Sequence, residues 1–170
     1  MARAPLEVWA RTALAGASWR KIADITTSKT GRFTYRTRSG PSRTVRIRYP
    51  GTPTIRPESA DTRVRVAASS TITARRRSLR NGQRAQFSGT IRGQHVRPGK
   101  LVQLQTLVNH RWQTFTTARV AKHGRWHSSY RFVGTTGTVT YRFRARVPAE
   151  RGFPYRGGNS KTIRLHVRGP

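Results

Sequence analysis

The sequence has no cysteine, very few acidic residues and no long apolar run. Without cysteine, this chain of 170 residues can form neither disulfide bonds nor thiolate metal sites. No stretch approaches the roughly 20 consecutive apolar residues of a membrane-spanning helix, and the first residues lack the apolar segment of a signal peptide. The sequence therefore predicts neither a disulfide scaffold nor a membrane span.

Positive charge is what the sequence has in excess. Thirty-five lysines and arginines oppose five acidic residues, which gives a formal net charge of +30 at pH 7. Such an excess is typical of proteins that bind nucleic acid or another anionic surface. Arginine supplies 30 of the 35 cations, so an arginine-rich surface without any ligand is the alternative. The acidic residues are Glu7, Asp24, Glu58, Asp61 and Glu150.

The second half of the sequence repeats the first. Residues 6–66 align with residues 101–167 when small gaps are allowed, and the same landmarks occur in the same order. A repeat of this kind indicates one structural unit used twice. The paired landmarks are Trp19 with Trp112, Gly31-Arg32-Phe33 with Gly124-Arg125-Trp126, Val45-Arg46-Ile47-Arg48-Tyr49 with Tyr141-Arg142-Phe143-Arg144, and Thr62-Arg63-Val64-Arg65-Val66 with Thr162-Ile163-Arg164-Leu165-His166-Val167.

Strict alternation of apolar residues with arginine or threonine dominates the second copy. Tyr141 and Phe143 share one phase while Arg142 and Arg144 share the other, which is the period of a half-buried β-strand. Turn sequences such as Asn81-Gly82 separate these segments. Seven strands are predicted, near Thr71–Arg76, Arg84–Ile91, Leu101–Val108, Trp112–Arg119, Arg125–Phe132, Thr138–Val147 and Lys161–Val167.

The first copy has fewer predicted strands than the second. Nothing in it corresponds to residues 70–91, so its first two strands are missing. A domain of this size with an uncovered sheet edge has a small core. Two explanations are open: the polypeptide continues upstream of Met1, which we favour, or a partner supplies the missing strands. The predicted strands are Pro5–Ala13, Trp19–Thr26, Arg32–Arg38, Arg43–Tyr49 and Thr62–Ala67.

The strand pattern predicts an all-β fold. Short strands with glycine and proline between them are typical of β-sandwiches, and the complete copy has the roughly 100 residues of an immunoglobulin-type fold. We predict two tandem immunoglobulin-like antiparallel β-sandwich modules, an incomplete one of about five strands at residues 1–68 and a complete one of about seven strands at residues 69–170. Tyr141 is placed like the tyrosine corner of such sandwiches, whose hydroxyl bonds a nearby backbone group.

Several short motifs resemble those of a known family. Phe87-Ser88-Gly89, Arg111-Trp112, Gly124-Arg125-Trp126 and Phe153-Pro154-Tyr155 are similar to motifs in the tandem immunoglobulin-like modules of secreted actinobacterial proteins. These modules are often grouped with carboxypeptidase-regulatory-like or fibronectin-like β-sandwiches. The resemblance implies an extracellular or cell-envelope location and a role as a spacer, display or adhesion module. It implies no catalytic residues and no cofactor.

Arginines on the outward phase of the late strands are the strongest functional signal. The last two strands of an immunoglobulin-type sandwich are neighbours, so we expect arginines to face one another there, although like charges destabilise a sheet. Two explanations are open: solvent and arginine stacking compensate, which we favour, or the faces bind a polyanion such as a phosphate-bearing or uronic cell-wall polymer. The candidates are a first arginine set, Arg46, Arg48, Arg63 and Arg65, and a second arginine set, Arg142, Arg144, Arg146 and Arg164.

Enzyme and metal chemistry have little support in the sequence. The acidic residues are scattered and no Gly-x-Ser-x-Gly motif occurs, so we predict that the protein is not an enzyme. His110, His123 and His127 could in principle meet at a metal ion. We interpret them instead as turn and surface residues, because His123 and His127 flank a glycine turn. No metal site is predicted.

Sequence-independent nucleic-acid binding is the alternative function. The net charge suits it, but the sequence contains no recognition helix and no zinc finger. Trp126, Tyr130 and Phe132 lie on one phase of a predicted strand, which places them in the core rather than on a base-stacking surface. Trp9 and the loop residues Phe153 and Tyr155 are the best candidates for exposed aromatics, although packing is the favoured role for them too.

Overall fold

The computed structural model describes residues 3–170, whose regular secondary structure is almost entirely β-strand. In this range the helical structure is limited to one 3₁₀ turn at Lys122–Gly124. No helix among the described residues has the length and apolar character that crossing a membrane requires. The chain divides into two compact units: the first extends to Val66 and includes Arg151–Tyr155, and the second comprises Ala67–Glu150 and Arg156–Pro170.

The first unit is built on one antiparallel sheet. Its strands are β1 (Pro5–Thr12), β2 (Arg20–Thr26), β3 (Arg43–Tyr49) and β4 (Glu58–Val64), in the order β2-β1-β3-β4. Leu6, Val8 and Val45 are buried, and the strand register places all three on the same side of the sheet. Glu7 and Arg46 alternate with them and lie on the opposite side.

Two predictions for the first copy are wrong. Residues 32–38 do not form a strand, so the first unit has four strands among its described residues rather than about five. The last strand is Glu58–Val64 and not Thr62–Ala67. A compact turn causes this shift, since Thr52 and Ile55 exchange backbone hydrogen bonds at 2.8 and 3.3 Å and the ladder resumes as soon as the chain has reversed. Alternation favours a strand, but the hydrogen-bonded neighbour decides where it forms.

The second unit contains two sheets. Its strands are β5 (Ser69–Ser70), β6 (Thr73–Ala74), β7 (Ser78–Arg80), β8 (Arg84–Arg92), β9 (Leu101–Val108), β10 (Arg111–Arg119), β11 (Arg125–Arg131), β12 (Thr138–Val147), β13 (Gly158–Asn159) and β14 (Ile163–Arg168). The large sheet has the order β10-β9-β12-β14-β7, with β13 paired to β12. The small sheet has the order β11-β8-β5, with β6 paired to β8. All named pairs are antiparallel except β14 with β7, so the prediction of purely antiparallel sheets is wrong at this pair.

Aromatic side chains join the two sheets of the second unit. The ring of Phe87 on β8 lies 5.1 Å from that of Phe143 on β12, and Phe115 on β10 lies 5.1 Å from Tyr130 on β11. Trp126 on β11 is 2% exposed and is the largest of the fully buried side chains. The inward phases of both sheets therefore form one core, as alternation predicts.

Tyr141 bonds a side chain rather than the backbone group expected of a tyrosine corner. Its hydroxyl lies 3.1 Å from Oγ1 of Thr135. The backbone N–H of Thr135 in turn donates to Oδ1 of Asn81 at 3.1 Å. The tyrosine thus helps to fix the loop that precedes β12.

Each unit contains a sheet of its own with the same order of strands. The order β2-β1-β3-β4 of the first unit corresponds to β10-β9-β12-β14 in the second, both along the chain and across the sheet. The paired tryptophans also have similar surroundings: the guanidinium of Arg46 lies 4.3 Å from the ring centre of Trp19, and that of Arg144 lies 4.2 Å from the ring centre of Trp112. Among the described residues, the first unit has no counterpart of the small sheet.

Candidate anion-binding face

In the first unit a carboxylate, and not an arginine, lies opposite Arg46. The pairing of β3 with β4 places Arg46 opposite Asp61, Arg48 opposite Ser59 and Arg63 opposite Thr44. Arg65 follows the end of β4. The expected pairing of arginines within the first arginine set is therefore wrong, because β4 begins at Glu58 and this start determines the register.

Carboxylates neutralise two members of the first arginine set. Asp61 accepts hydrogen bonds from Nε and Nη2 of Arg46 at 2.7 and 3.0 Å, which is the bidentate geometry of a strong pair. The carboxylate of Glu7 lies 3.4 Å from Nη1 of Arg48 and 3.1 Å from Nζ of Lys21. Two of the four arginines in the first arginine set therefore have a carboxylate partner.

These contacts lower the pKa of both carboxyl groups. The hydrogen bonds from Arg46 hold the pKa of Asp61 below its ordinary value, and the indole N–H of Trp9, followed by Lys21, lowers the pKa of Glu7. A carboxyl whose pKa is lowered by folding adds stability above its ordinary pKa of about 4. That contribution is lost as the pH falls through the lowered pKa.

Arginines do face each other in the second unit. Arg142 on β12 is directly opposite Arg164 on β14. Arg146 is opposite Gln103 on β9, and Arg144 is opposite Gln105 on the same strand. These neighbours are neutral, so the second arginine set has no charge compensation from the strands beside it.

Arg144 is held in place by its surroundings. Its Nε donates to Oε1 of Gln105 at 2.9 Å, and its guanidinium stacks on Trp112. Partial burial, and next the charge of Arg146, lower the pKa of Arg144. Arginine nevertheless stays cationic at neutral pH because its ordinary pKa lies far above 7. Arg144 is therefore an anchored charge within the second arginine set.

The second unit has almost no acid to balance its cations. Residues 1–66 hold four of the five acidic residues together with 14 lysines and arginines, whereas residues 67–170 hold 21 lysines and arginines and only Glu150. Glu150 lies 2.8 Å from Nζ of Lys100. Within residues 3–170, no carboxylate comes within ion-pair distance of Arg142, Arg146 or Arg164.

Two further arginines extend the same side of the large sheet. Arg168 on β14 is opposite Thr138, and Arg80 on β7 is opposite Arg168. The position of Arg168 could be predicted from the sequence, because it shares the phase of Arg164 on β14. The position of Arg80 could not, because β7 has only three residues and shows no alternation. We call Arg80, Arg142, Arg144, Arg146, Arg164 and Arg168 the outer arginine face.

The three histidines considered as metal ligands lie in three different structural elements. His110 lies in the turn between β9 and β10, His123 lies in the 3₁₀ turn, and both have positive φ, 62° and 59°. His127 is exposed on β11. In the part of the chain that the structure describes, no three His, Asp or Glu side chains group closely enough to hold a metal ion.

The candidate exposed aromatics are mostly packed. Phe153 and Tyr155 are 7% and 8% exposed, and their ring centres are 4.9 Å apart. Trp9 is half-buried, and its indole N–H donates to Glu7 at 3.0 Å. Tyr130, in contrast, is 38% exposed although it lies on the inward phase of β11.

Comparison with known proteins gives a distant structural likeness and no family. No protein-family model matches the chain, and no curated protein matches it in sequence. Among solved structures, a tetra-tandem repeat from the extending region of a large adhesion protein aligns with a TM-score of 0.44 and 13% sequence identity. The alignment covers 98% of this chain and 42% of that chain, so this chain spans less than half of its length.

Proposed function

We propose that the protein is a non-enzymatic structural or adhesion module of an extracellular or cell-envelope protein, built from two immunoglobulin-like repeats at residues 1–68 and 69–170. In this proposal the second repeat is a complete sandwich and the first is an incomplete one. The outer arginine face of the second unit binds anionic polymers of the cell wall. The observation that carries the proposal is the arrangement of Arg142 directly opposite Arg164 with no carboxylate nearby in the described chain.

The contrast between the units supports a ligand for this face. The same sheet in the first unit carries Asp61 and Glu7 beside its arginines, which shows that this strand order accommodates compensating acids. Like charges directly opposite each other destabilise a sheet. A bound polyanion would remove that repulsion in the second unit, and the planar fork of arginine suits phosphate and carboxylate groups.

The outer arginine face is expected to account for most of the salt-sensitive binding. We would measure retention on long-chain polyphosphate and on polygalacturonate at several salt concentrations. Replacing Arg142, Arg146 and Arg164 by serine should weaken retention and reduce the slope of log K against log salt by about two to three, since each phosphate contact contributes about 0.9 for a duplex and somewhat less for a single strand. Arg144 is left in place because it packs on Trp112.

The matched control replaces Arg46, Arg48 and Arg63 by serine, which removes the same charge from the first unit. A much smaller loss is expected for this variant, because Asp61 and Glu7 already neutralise two of the three cations. Equal losses in the two variants would show that only net charge matters. Unchanged retention in the first variant would contradict the proposed binding face.

Nucleic-acid binding is tested in the same format with a DNA duplex of random sequence. The chemistry of arginine with phosphate is shared, so salt-dependent retention on the duplex is expected. Trp126, Phe132 and Phe143 are buried and therefore offer no base-stacking surface. Preference for one sequence over scrambled competitors at physiological salt would overturn the structural function in favour of a sequence-reading one.

Removing the acid beside Arg46 should increase the binding of polyanions by the first unit. We expect Asp61→Asn to raise retention on polyphosphate by about two- to fivefold, because Arg46 then has no carboxylate partner and can contact phosphate instead. Asp24→Asn is the matched control, because it adds the same net charge while Glu7 still binds Lys21. A rise of the same size in both variants would contradict a local role for Arg46.

A further inference from the structure

A segment of the first unit has the sequence of a strand but no strand partner. Phe33 and Tyr35 alternate with Arg32, Thr34 and Arg36. Within residues 3–170, no backbone N–H or C=O of residues 33–37 forms a hydrogen bond. Free backbone groups in an alternating sequence offer a template on which another chain can form a strand.

The corresponding segment of the second unit has a partner strand and is itself a strand. The connection between β2 and β3 corresponds to that between β10 and β12, and the latter contains β11. Both connections have a glycine of positive φ as their fifth residue, Gly31 at 77° and Gly124 at 72°. An arginine and an aromatic residue follow each glycine. β11 is a strand because it pairs along its whole length with β8, and the described part of the first unit has no such strand.

The aromatic residues of the two segments differ in burial. Trp126 of β11 is 2% exposed, whereas its counterpart Phe33 is 46% exposed. Trp126 lies opposite Gly89 of β8, and a Cβ atom at Gly89 would lie 2.5 Å from the Trp126 ring. The ring therefore needs a glycine across from it. A strand that covers Phe33 in the same way should also carry glycine at that position.

The surroundings of Phe33 are cationic. Thr26, Ser28, Lys29, Arg32 and Phe33 line an open groove beside the start of the segment. Arg36 and Arg38 continue the phase of Arg32. Opposite charges across neighbouring strands stabilise a sheet, and like charges destabilise it. The incoming strand should therefore carry acidic residues on its outward phase.

We propose that residues 32–38 accept a β-strand from a separate protein by β-augmentation. The strand is extended, has apolar residues at alternate positions, places a glycine opposite Phe33 and carries Asp or Glu on its other phase. Its main chain forms hydrogen bonds with the free backbone groups of residues 33–37, which gives affinity. Its alternate side chains contact the alternating side chains of the segment, which gives specificity. β8 provides the pattern, with Ala85, Phe87, Gly89 and Ile91 on one phase.

The test adds a synthetic peptide to the full chain and follows amide hydrogen exchange. The peptide has the sequence of Arg84–Arg92 with glutamate in place of the residues at 86, 88 and 90. Exchange at residues 33–37 should slow by about tenfold or more at saturating peptide, because exchange then requires opening of the new ladder. A peptide that also carries valine at the Gly89 position should lose this protection, as should the Phe33→Ser protein.

Three results would overturn the proposal. Faster exchange at residues 84–92, with no added protection at residues 33–37, would show that the peptide displaces β8 from the second unit instead. No protection anywhere would show that the segment accepts no strand. Protection of residues 33–37 that increases with protein concentration without peptide would identify a second copy of this chain as the occupant. Phe33→Ser is expected to fold like the unaltered protein because Phe33 is already 46% exposed and is not part of the buried core.

Discussion

Trp126→Ala should lower the free energy of unfolding of the second unit by about 3–5 kcal/mol. The side chain is 2% exposed and is the largest fully buried one, so its removal leaves a cavity that the surrounding strands cannot close completely. Urea unfolding followed by hydrogen exchange of the β8 and β12 amides measures this loss for the second unit by itself. A loss below about 1 kcal/mol would mean that Trp126 is not the centre of that core.

Two further variants identify the cause of the effect. In the described structure, Nε1 of Trp126 has no hydrogen-bond acceptor, and a buried unsatisfied N–H costs free energy. Trp126→Phe removes this cost along with part of the ring, so we expect a much smaller loss than for alanine. Trp112→Ala removes a half-buried ring that packs on Arg144. It should therefore cost less than Trp126→Ala.

Gly89→Ala should destabilise the second unit by about 3 kcal/mol. An added Cβ atom would lie 2.0 Å from the carbonyl oxygen of Thr71 and 2.5 Å from the Trp126 ring. The first of these is a backbone atom, so the ladder beside β8 would have to move. The same exchange measurements on the β8 and β12 amides report the size of the loss.

Gly134→Ala is the matched control for this substitution. No heavy atom would lie within 4 Å of its added Cβ. We expect a change within about 0.5 kcal/mol, as for surface substitutions away from special features. If Gly89→Ala proved equally mild, the second unit would have room opposite Trp126, and the requirement for glycine in a strand that covers Phe33 would also fail.

The longer strands of the second unit could be predicted from alternation. β9 and β12 have the predicted bounds, and β8 and β10 differ from them by one residue at one end. The short strands could not be predicted in this way. β5, β7 and β13 have two or three residues each, which is too short to show a period of two. They form where the chain passes a longer strand that has free backbone groups.

The candidate site could be predicted only in part, because register depends on turns. The phase of Arg142 and Arg164 follows from alternation, and their presence on neighbouring strands follows from the expected immunoglobulin-type strand order. The partner of Arg46 depends on where β4 begins, which the turn between Thr52 and Ile55 determines. Arg80 joins the face through a parallel pairing of β7 with β14, and no local pattern in the sequence indicates such a contact.

The parallel pair of β7 with β14 has a consequence for the order of folding. β14 lies between β12 and β7, so the large sheet stays in two pieces until residues 163–168 are available. During synthesis β7 leaves the ribosome more than 80 residues before β14, and the final docking joins these two strands, which are far apart in sequence. Contacts of such high sequence separation slow folding. The second unit should therefore complete its fold only after translation has reached its last strand.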